Sequence, residues 1–312
     1  MNEFRDKGAP QDLPTELRRL PWGPPDSFLG VPAADSRFAD CPIVVLPVPY
    51  EATVSWGTGT RYGPRAIIHA SRFLELYDHE LDSEPHEVGI HTLPELMLPD
   101  SGPGDALAEL KDAVDLLLDE DKFVIMLGGE HSISGPAIRA HADRMPDGSL
   151  SVLQLDAHTD LRAEYEGTPY SHACAMHMVH DRVKLVPVGV RSMTLEERKL
   201  VRNADIPVIF GHELHSDDWI DRAVSALGDD VYVTVDIDYF DPSLVPSTGT
   251  PEPGGGTWYP TLELLDRVFK EKNVVGCDVV ELAPTPGITA PDVLAAKLAY
   301  KMVGYYAKRR EA

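Results

Sequence analysis

Three short stretches of the chain carry side chains suited to holding metal ions: GGEHS at residues 128–132, DAHTD at 156–160 and DIDYFDP at 236–242. They contribute His131, Asp156, His158, Asp160, Asp236 and Asp238, a set of four carboxylates and two imidazoles. That much negative charge is not gathered in one place without cations. Two divalent ions balance it, since four aspartates contribute −4 and two ions +4, and bridging carboxylates would let the ions sit roughly 3.5–4 Å apart, as in two-metal hydrolases. A donor set of hard oxygens with a minority of nitrogen and no thiolate points to Mn²⁺ ahead of Zn²⁺ or copper. Singly, a D-x-D at a strand end is often only a turn or a helix cap. What gives these motifs weight is that they occur together, each behind a strand.

The strands are visible as apolar runs. KFVIML leads into GGEHS, SVLQL into DAHTD, VYVTV into DIDYFDP, and VVGCDVV into Glu281. In a parallel sheet, ligands bind beyond the carboxyl ends of the strands, so four strands deliver acids or imidazoles to one edge. Alternate residues of an extended chain point the same way. On that basis Asp156, His158 and Asp160 are expected to face one ion pair while Ala157 and Thr159 face the scaffold, and Asp236 and Asp238 repeat the device. Glu281 ends a strongly apolar strand, where an unpaired carboxylate would be expensive. The loop STGTPEPGGGTWYP at 247–260 is expected to border the same pocket.

Behind these motifs, β-rich runs alternate with stretches of helical period from about residue 42 to the end, the pattern of a parallel sheet between layers of helices. Runs such as VIML and VYVTV are apolar throughout, as expected of strands covered on both faces. No linker or repeat interrupts the series, so residues 1–312 read as a single domain, with residues 1–38 as an irregular, Pro- and Gly-rich N-terminal arm. At 43% hydrophobic content the chain has ample material for a core. A net charge of −23, from 51 acids against 28 bases, excludes nucleic acid as a partner and suits cationic ligands. There is no signal-type or membrane-spanning segment. Cys41, Cys174 and Cys277 form no metal or disulfide pattern. The expected setting is the cytoplasm, without membrane association.

At these motifs the chain resembles the ureohydrolase family of arginases and agmatinases: GGEHS, DAHTD, SHACAMH, DIDYFDPSLVPSTGTPEPGG and DVVEL occur in that family's order. The resemblance implies a three-layer α/β/α fold with an eight-stranded, mostly parallel sheet, two Mn²⁺ per chain, a homo-oligomer (trimer or hexamer), and hydrolysis of a guanidinium group to urea and an amine. It places His131, Asp156, Asp160 and Asp236 on one manganese and His158, Asp156, Asp236 and Asp238 on the other, with Asp156 and Asp236 bridging. It also implies that His172 shuttles protons, that Glu281 grips the guanidinium and that Asp160 passes a proton to the departing amine. Many relatives read His-Gly at the shuttle loop, whereas here Ala173 follows His172. Metals suit the reaction, because a guanidinium carbon is a poor electrophile and metal coordination lowers the pKa of water from about 15.7 towards about 7.

Where arginase-like members carry an Asn-, Thr- and Ser-rich loop for the carboxylate of arginine, this chain has LRAEYEGTPYSHAC. Glu164 and Glu166 would repel a carboxylate and welcome an ammonium. That segment and PYEATVSWGTGTRYGPRAI at 49–67 resemble agmatinases, so the expected substrate is agmatine, a small cationic guanidine, cleaved to putrescine and urea. Aminopropylagmatine, guanidinobutyrate and arginine are the alternatives. A single-zinc deacylase of related fold is a further one, but it would leave His131, Asp160 and Asp238 unexplained.

Overall fold

Every residue of β1 (Ile43–Val48), β3 (Phe123–Gly128) and β4 (Leu150–Leu155) is buried, which requires cover on both faces of the sheet. The structure, a computed structural model, describes residues 25–311. The other strands are β2 (Ile90–Thr92), β5 (Lys184–Val190), β6 (Ile209–Phe210), β7 (Asp230–Asp236) and β8 (Asn273–Val280). They form one eight-stranded sheet in the order β2-β1-β3-β8-β7-β4-β5-β6. All pairings are parallel.

Side chains leave the sheet alternately for two separate cores. Ile43 and Val45 of β1 enter one while Val44, Leu46 and Val48 enter the other, and β7 divides Val231, Val233 and Val235 from Tyr232 in the same way. The first core is closed by α1 (Gly63–Ser71), α5 (Trp219–Ala226), α6 (Trp258–Glu271) and α7 (Ala290–Glu311). The second is closed by α2 (Pro103–Asp119), α3 (Ser134–Ala142) and α4 (Leu195–Asn203). The result is the expected three-layer α/β/α arrangement. Among the described residues no helix is long and apolar enough to cross a membrane.

Residues 1–24 of the expected arm lie outside the described residues. In the part that follows, Phe28 and Leu29 are buried in the first core, where the Leu29 amide donates to Ser71 Oγ at 2.8 Å. All three cysteines are free and buried.

His141 of α3 is buried between the helix and Tyr232, with Nδ1 bonded to Ala137 O at 2.9 Å and its ring edge-on to Tyr232. Burial holds its pKa below the ordinary imidazole value of 6.5. A depressed pKa means that the unfolded chain takes up the proton first. His141 therefore adds full stability above about pH 6.5, and that contribution is lost as pH falls through the lowered folded value. Thermal unfolding measured at pH 7.5 and 5.5 is expected to show a smaller acid-induced drop in Tm for His141→Gln than for the natural chain; an equal drop would contradict the assignment.

Candidate active site

β3, β8, β7 and β4 are consecutive at the centre of the sheet, and each ends in one of the expected residues at the same edge. His131 opens a 3-10 turn (His131–Ile133) just beyond β3, Glu281 follows β8, Asp236 closes β7, and Asp156 follows β4. The glycine pair ahead of His131 is a steric necessity, because a Cβ on Gly129 would stand 1.9 Å from Tyr50 O.

The six expected metal residues come together. Donor atoms of His131, Asp156 and Asp236 lie within 4.8 Å of one another, as do those of Asp156, His158 and Asp238, so Asp156 belongs to both groups. His131 Nδ1 is 2.8 Å from Asp160 Oδ2, 3.2 Å from Asp156 Oδ2 and 3.5 Å from Asp236 Oδ2. His158 Nδ1 is 3.0 Å from Asp238 Oδ2. Asp236 is grouped with His131, and its Oδ1 lies 2.8 Å from the amide of Asp238 in the second group.

Strand alternation is not what aims them. β4 stops at Leu155, before the first ligand, and the segment then turns: His158 N donates to Asp156 Oδ1 at 2.6 Å, and Asp160 has φ 50°. Asp236 likewise caps the 3-10 turn Ile237–Tyr239 by accepting from Asp238 N at 2.8 Å. Ala157 N donates to Asp238 Oδ1 at 3.0 Å and ties the two turns together. Turn and metal motif are the same object here, with one carboxylate oxygen folding the backbone and the other facing the cluster. Glu281 is also left-handed, with φ 64°. Backbones of this kind cost on the order of 1–3 kcal/mol each and persist where the surroundings over-determine them. Glu281 N donates to Gly129 O at 2.8 Å and its Oε1 accepts from His131 N at 2.6 Å, while Asp160 O accepts from the amides of Met176 and His177.

The electrostatics fit divalent cations. Burial first, then Asp238, Asp156 and Glu281, push the Asp236 pKa well above the carboxylate range, and burial with Asp156 raises Asp160. Burial also raises Glu281 far above its usual value. Protein groups alone leave these carboxylates in conflict, and a multivalent cation among them relieves it. His131 Nδ1 is a buried atom with no hydrogen bond of its own, aimed into that cluster. The residues thus match an oxygen-rich, two-ion site in donor type and charge.

Beside the cluster is a cavity of about 260 Å³ lined by His158, Asp160, His172, Glu197, Asp236 and Glu281, among others. A larger one of about 750 Å³, near Cys41, Val88 and Lys122, lies at the opposite ends of the strands and holds none of the expected residues. His172 stands on a 3-10 turn (His172–Cys174), with Nε2 2.7 Å from Ser55 Oγ and its amide donating to Thr53 Oγ1 at 3.0 Å. Ala173 is not among the residues with positive φ, so the missing glycine costs the loop nothing. Glu164 and Glu166, expected to greet an ammonium, do not line the cavity. Glu166 and Gly167 form the tip of a tight turn closed by Tyr165 and Thr168, which carries the acids into solvent. Arg162, stacked on Tyr165 at 4.7 Å, and the buried Glu197 occupy that wall instead.

Several residues of the site were not singled out from sequence. Glu130 is fully buried, and its carboxylate accepts from Ala52 N, Thr53 N, Thr53 Oγ1 and Ser132 Oγ at 2.5–2.7 Å, fixing the loop that reaches His172. Glu197 accepts from Thr159 Oγ1, Leu161 N and Thr194 N, which ties the DAHTD turn to the start of α4. Glu130 was signalled by its place inside the ligand-bearing GGEHS, whereas Glu197 lies in the charged run LEERK and its signal was the capping-box spacing from Thr194.

Residues 41–304 match the arginase family. An N(1)-aminopropylagmatine ureohydrolase from Synechocystis sp. is 40% identical over 290 residues, covering 90% of this chain and 94% of that protein. An agmatinase from Pyrococcus horikoshii is 33% identical over 290 residues, 89% of this chain and 96% of that protein. The crystal structure of an agmatine ureohydrolase of Thermoplasma volcanium superposes with a TM-score of 0.83 at 27% identity, covering 96% of this chain and 99% of that one.

If Glu130 holds the loop at 51–59, Glu130→Gln turns an amide NH₂ towards backbone donors and loosens it. Losing one charge-assisted bond, about 1.5 kcal/mol, corresponds to roughly tenfold faster hydrogen exchange at the Ala52 and Thr53 amides. Unchanged exchange there would mean that the loop is held by other contacts.

Proposed function

The chain belongs to the arginase family, and from that premise we propose that it hydrolyses agmatine to putrescine and urea with two Mn²⁺ bound. As a member it is a hydrolase of the guanidino group. The observation that carries the proposal is the convergence of both donor groups on Asp156, beside a cavity lined by His158 and Asp236 of those groups and by Glu197 and Glu281. A second reading, aminopropylagmatine as the substrate, is favoured by the 40% identity to a protein of that name. Acids outnumber Arg162 on the lining, which suits a cationic guanidine in either case.

His131, Asp156, Asp160 and Asp236 would hold one ion and His158, Asp156, Asp236 and Asp238 the other. When bound, the ions supply Lewis-acid activation of water and balance the aspartates. Glu281 would orient the guanidinium, its backbone locked by Gly129 and its Oε1 by His131 N. As water oxygen bonds to the guanidinium carbon and the bond from that carbon to the alkyl-bearing nitrogen breaks, Asp160 would pass a proton to the leaving amine. Asp160 touches both His131 and the cavity, as that role requires. His172 would exchange protons with solvent, its ring held by Ser55. The cytoplasm, with its reducing conditions, accords with three free cysteines, and a trimer or hexamer is part of the proposal.

Urea release in the presence of Mn²⁺ is expected from agmatine or aminopropylagmatine well ahead of guanidinobutyrate and arginine; preference for arginine would defeat the substrate assignment, and inactivity on all four the function. Asp156→Ala and Asp236→Ala should each fall below about 1% of natural activity through loss of a ligand facing the ions. His172→Ala should keep both ions and lose about 10²–10⁴-fold in kcat. Equal metal loss in all three, measured by elemental analysis, would contradict these roles.

A further inference from the structure

The cavity beside the metal residues has a neighbour. A second one, of about 360 Å³, lies between the end of β6 and residues 253–255, and the two cavities share one lining residue, Met193. A single side chain therefore stands between them, and its backbone is fixed on both sides. Arg191 N and Ser192 N donate to Ala157 O at 2.8 and 3.0 Å, tying the exit of β5 to the DAHTD turn. Thr194 opens α4 with a reciprocal cap: its amide donates to Glu197 Oε2 at 2.7 Å and its Oγ1 accepts from Glu197 N at 3.2 Å. Between those anchors only the half-buried thioether chain is left to move. Methionine, unbranched and with three rotatable bonds, rearranges at little cost.

The other walls of the second cavity do not yield. Gly255 has φ 118°, and a Cβ there would stand 2.4 Å from Tyr239 O. Phe210 ends β6 with the His212 ring stacked on it and Arg198 over it. Arg191 spends its guanidinium on the carbonyls of Gly189, Asp238, Tyr239, Phe240 and Glu252, so none of its N–H groups is left for an anion. What this cavity presents is the Met193 and Phe210 side chains, suited to methylenes, and the exposed imidazoles of His212 and His215, which when neutral accept from an ammonium. Elsewhere the wall of the first cavity carries Arg162, whose guanidinium repels a cationic tail.

We propose that the second cavity seats the far end of a guanidine whose amine carries a further aminoalkyl tail, and that Met193 is the specificity-determining residue that admits it. Such a substrate holds its guanidinium at the metal residues, runs its chain past Met193 and keeps its terminal ammonium at an exposed rim. Agmatine, which lacks the tail, needs only the first cavity. The inference rests on the ureohydrolase reading and names the longer guanidine as the substrate within it.

The Mn²⁺-loaded full-length chain is assayed for urea release from agmatine and from aminopropylagmatine, and the ratio of the two kcat/KM values is compared between variants. Methylenes seated against apolar walls are expected to favour aminopropylagmatine by about tenfold or more. Met193→Trp, which fills the passage, lowers that ratio by about tenfold, chiefly through KM of the longer substrate. Met193→Ala leaves it at or above the natural value. Joint replacement of the exposed pair, His212→Ala with His215→Ala, lowers the ratio by about threefold through loss of a hydrogen bond and decides the question should Met193→Trp not fold. A natural ratio that favours agmatine overturns the proposal, and so does a loss shared equally by both substrates in the variants; urea from agmatine upholds the assigned reaction in either case. Cleavage of neither guanidine defeats the assigned reaction instead. The ratio is then read from the dissociation constants of the two guanidines in calorimetric titration, where the same order among the variants supports the proposal and a constant ratio overturns it.

Discussion

Asp156 has donor atoms within 4.8 Å of those of Asp236 and of Asp238. Two like unit charges at that separation repel by about 3.5 kcal/mol at an effective dielectric of about 20, and each pair adds its own term. Among the described residues no lysine or arginine ion-pairs with Asp156, Asp160, Asp236 or Asp238; of the basic side chains only His131 and His158 approach them. Much of the central sheet edge makes sense as a means of keeping these groups together until cations neutralise them.

The means is a set of hydrogen bonds in which each carboxylate divides its oxygens between two tasks. One oxygen of Asp156, Asp236 or Asp238 accepts a backbone amide from its own turn or the neighbouring one, and the other faces the cluster. Asp160 and Glu281 add left-handed backbones where nothing but the surrounding contacts compels them. Local strain and charge repulsion are thus stored at one place, and the uniformly apolar strands beneath supply the stability that tolerates them.

Around this floor a second tier of buried acids organises the walls without facing the cluster. Glu130 gathers four donors from one loop and Ser132, and Glu197 gathers donors from the DAHTD turn and the start of α4. A buried carboxylate surrounded by donors is held rigidly, whereas the same group without them would be costly. His172 benefits directly, since two of the residues that contact it, Thr53 and Ser55, lie on the loop that Glu130 holds.

The alternation of apolar runs and helical stretches made the layered parallel fold legible in the sequence, because strands buried on two faces must be continuously apolar. The six ligand-type residues and Glu281 were legible too, since acids and imidazoles directly behind such strands have few inexpensive explanations. What the sequence could not say is that β3, β8, β7 and β4 are neighbours: their order in the sheet follows from long-range pairing, and it alone brings His131 to Asp156 across distant segments. Nor could it show that DAHTD turns where an extended strand was expected, or that Glu164 and Glu166 point to solvent, because both depend on which backbone amides lie within reach. Residue chemistry therefore set what kind of site the chain can build, and tertiary pairing decided which atoms face it and which merely hold it in place.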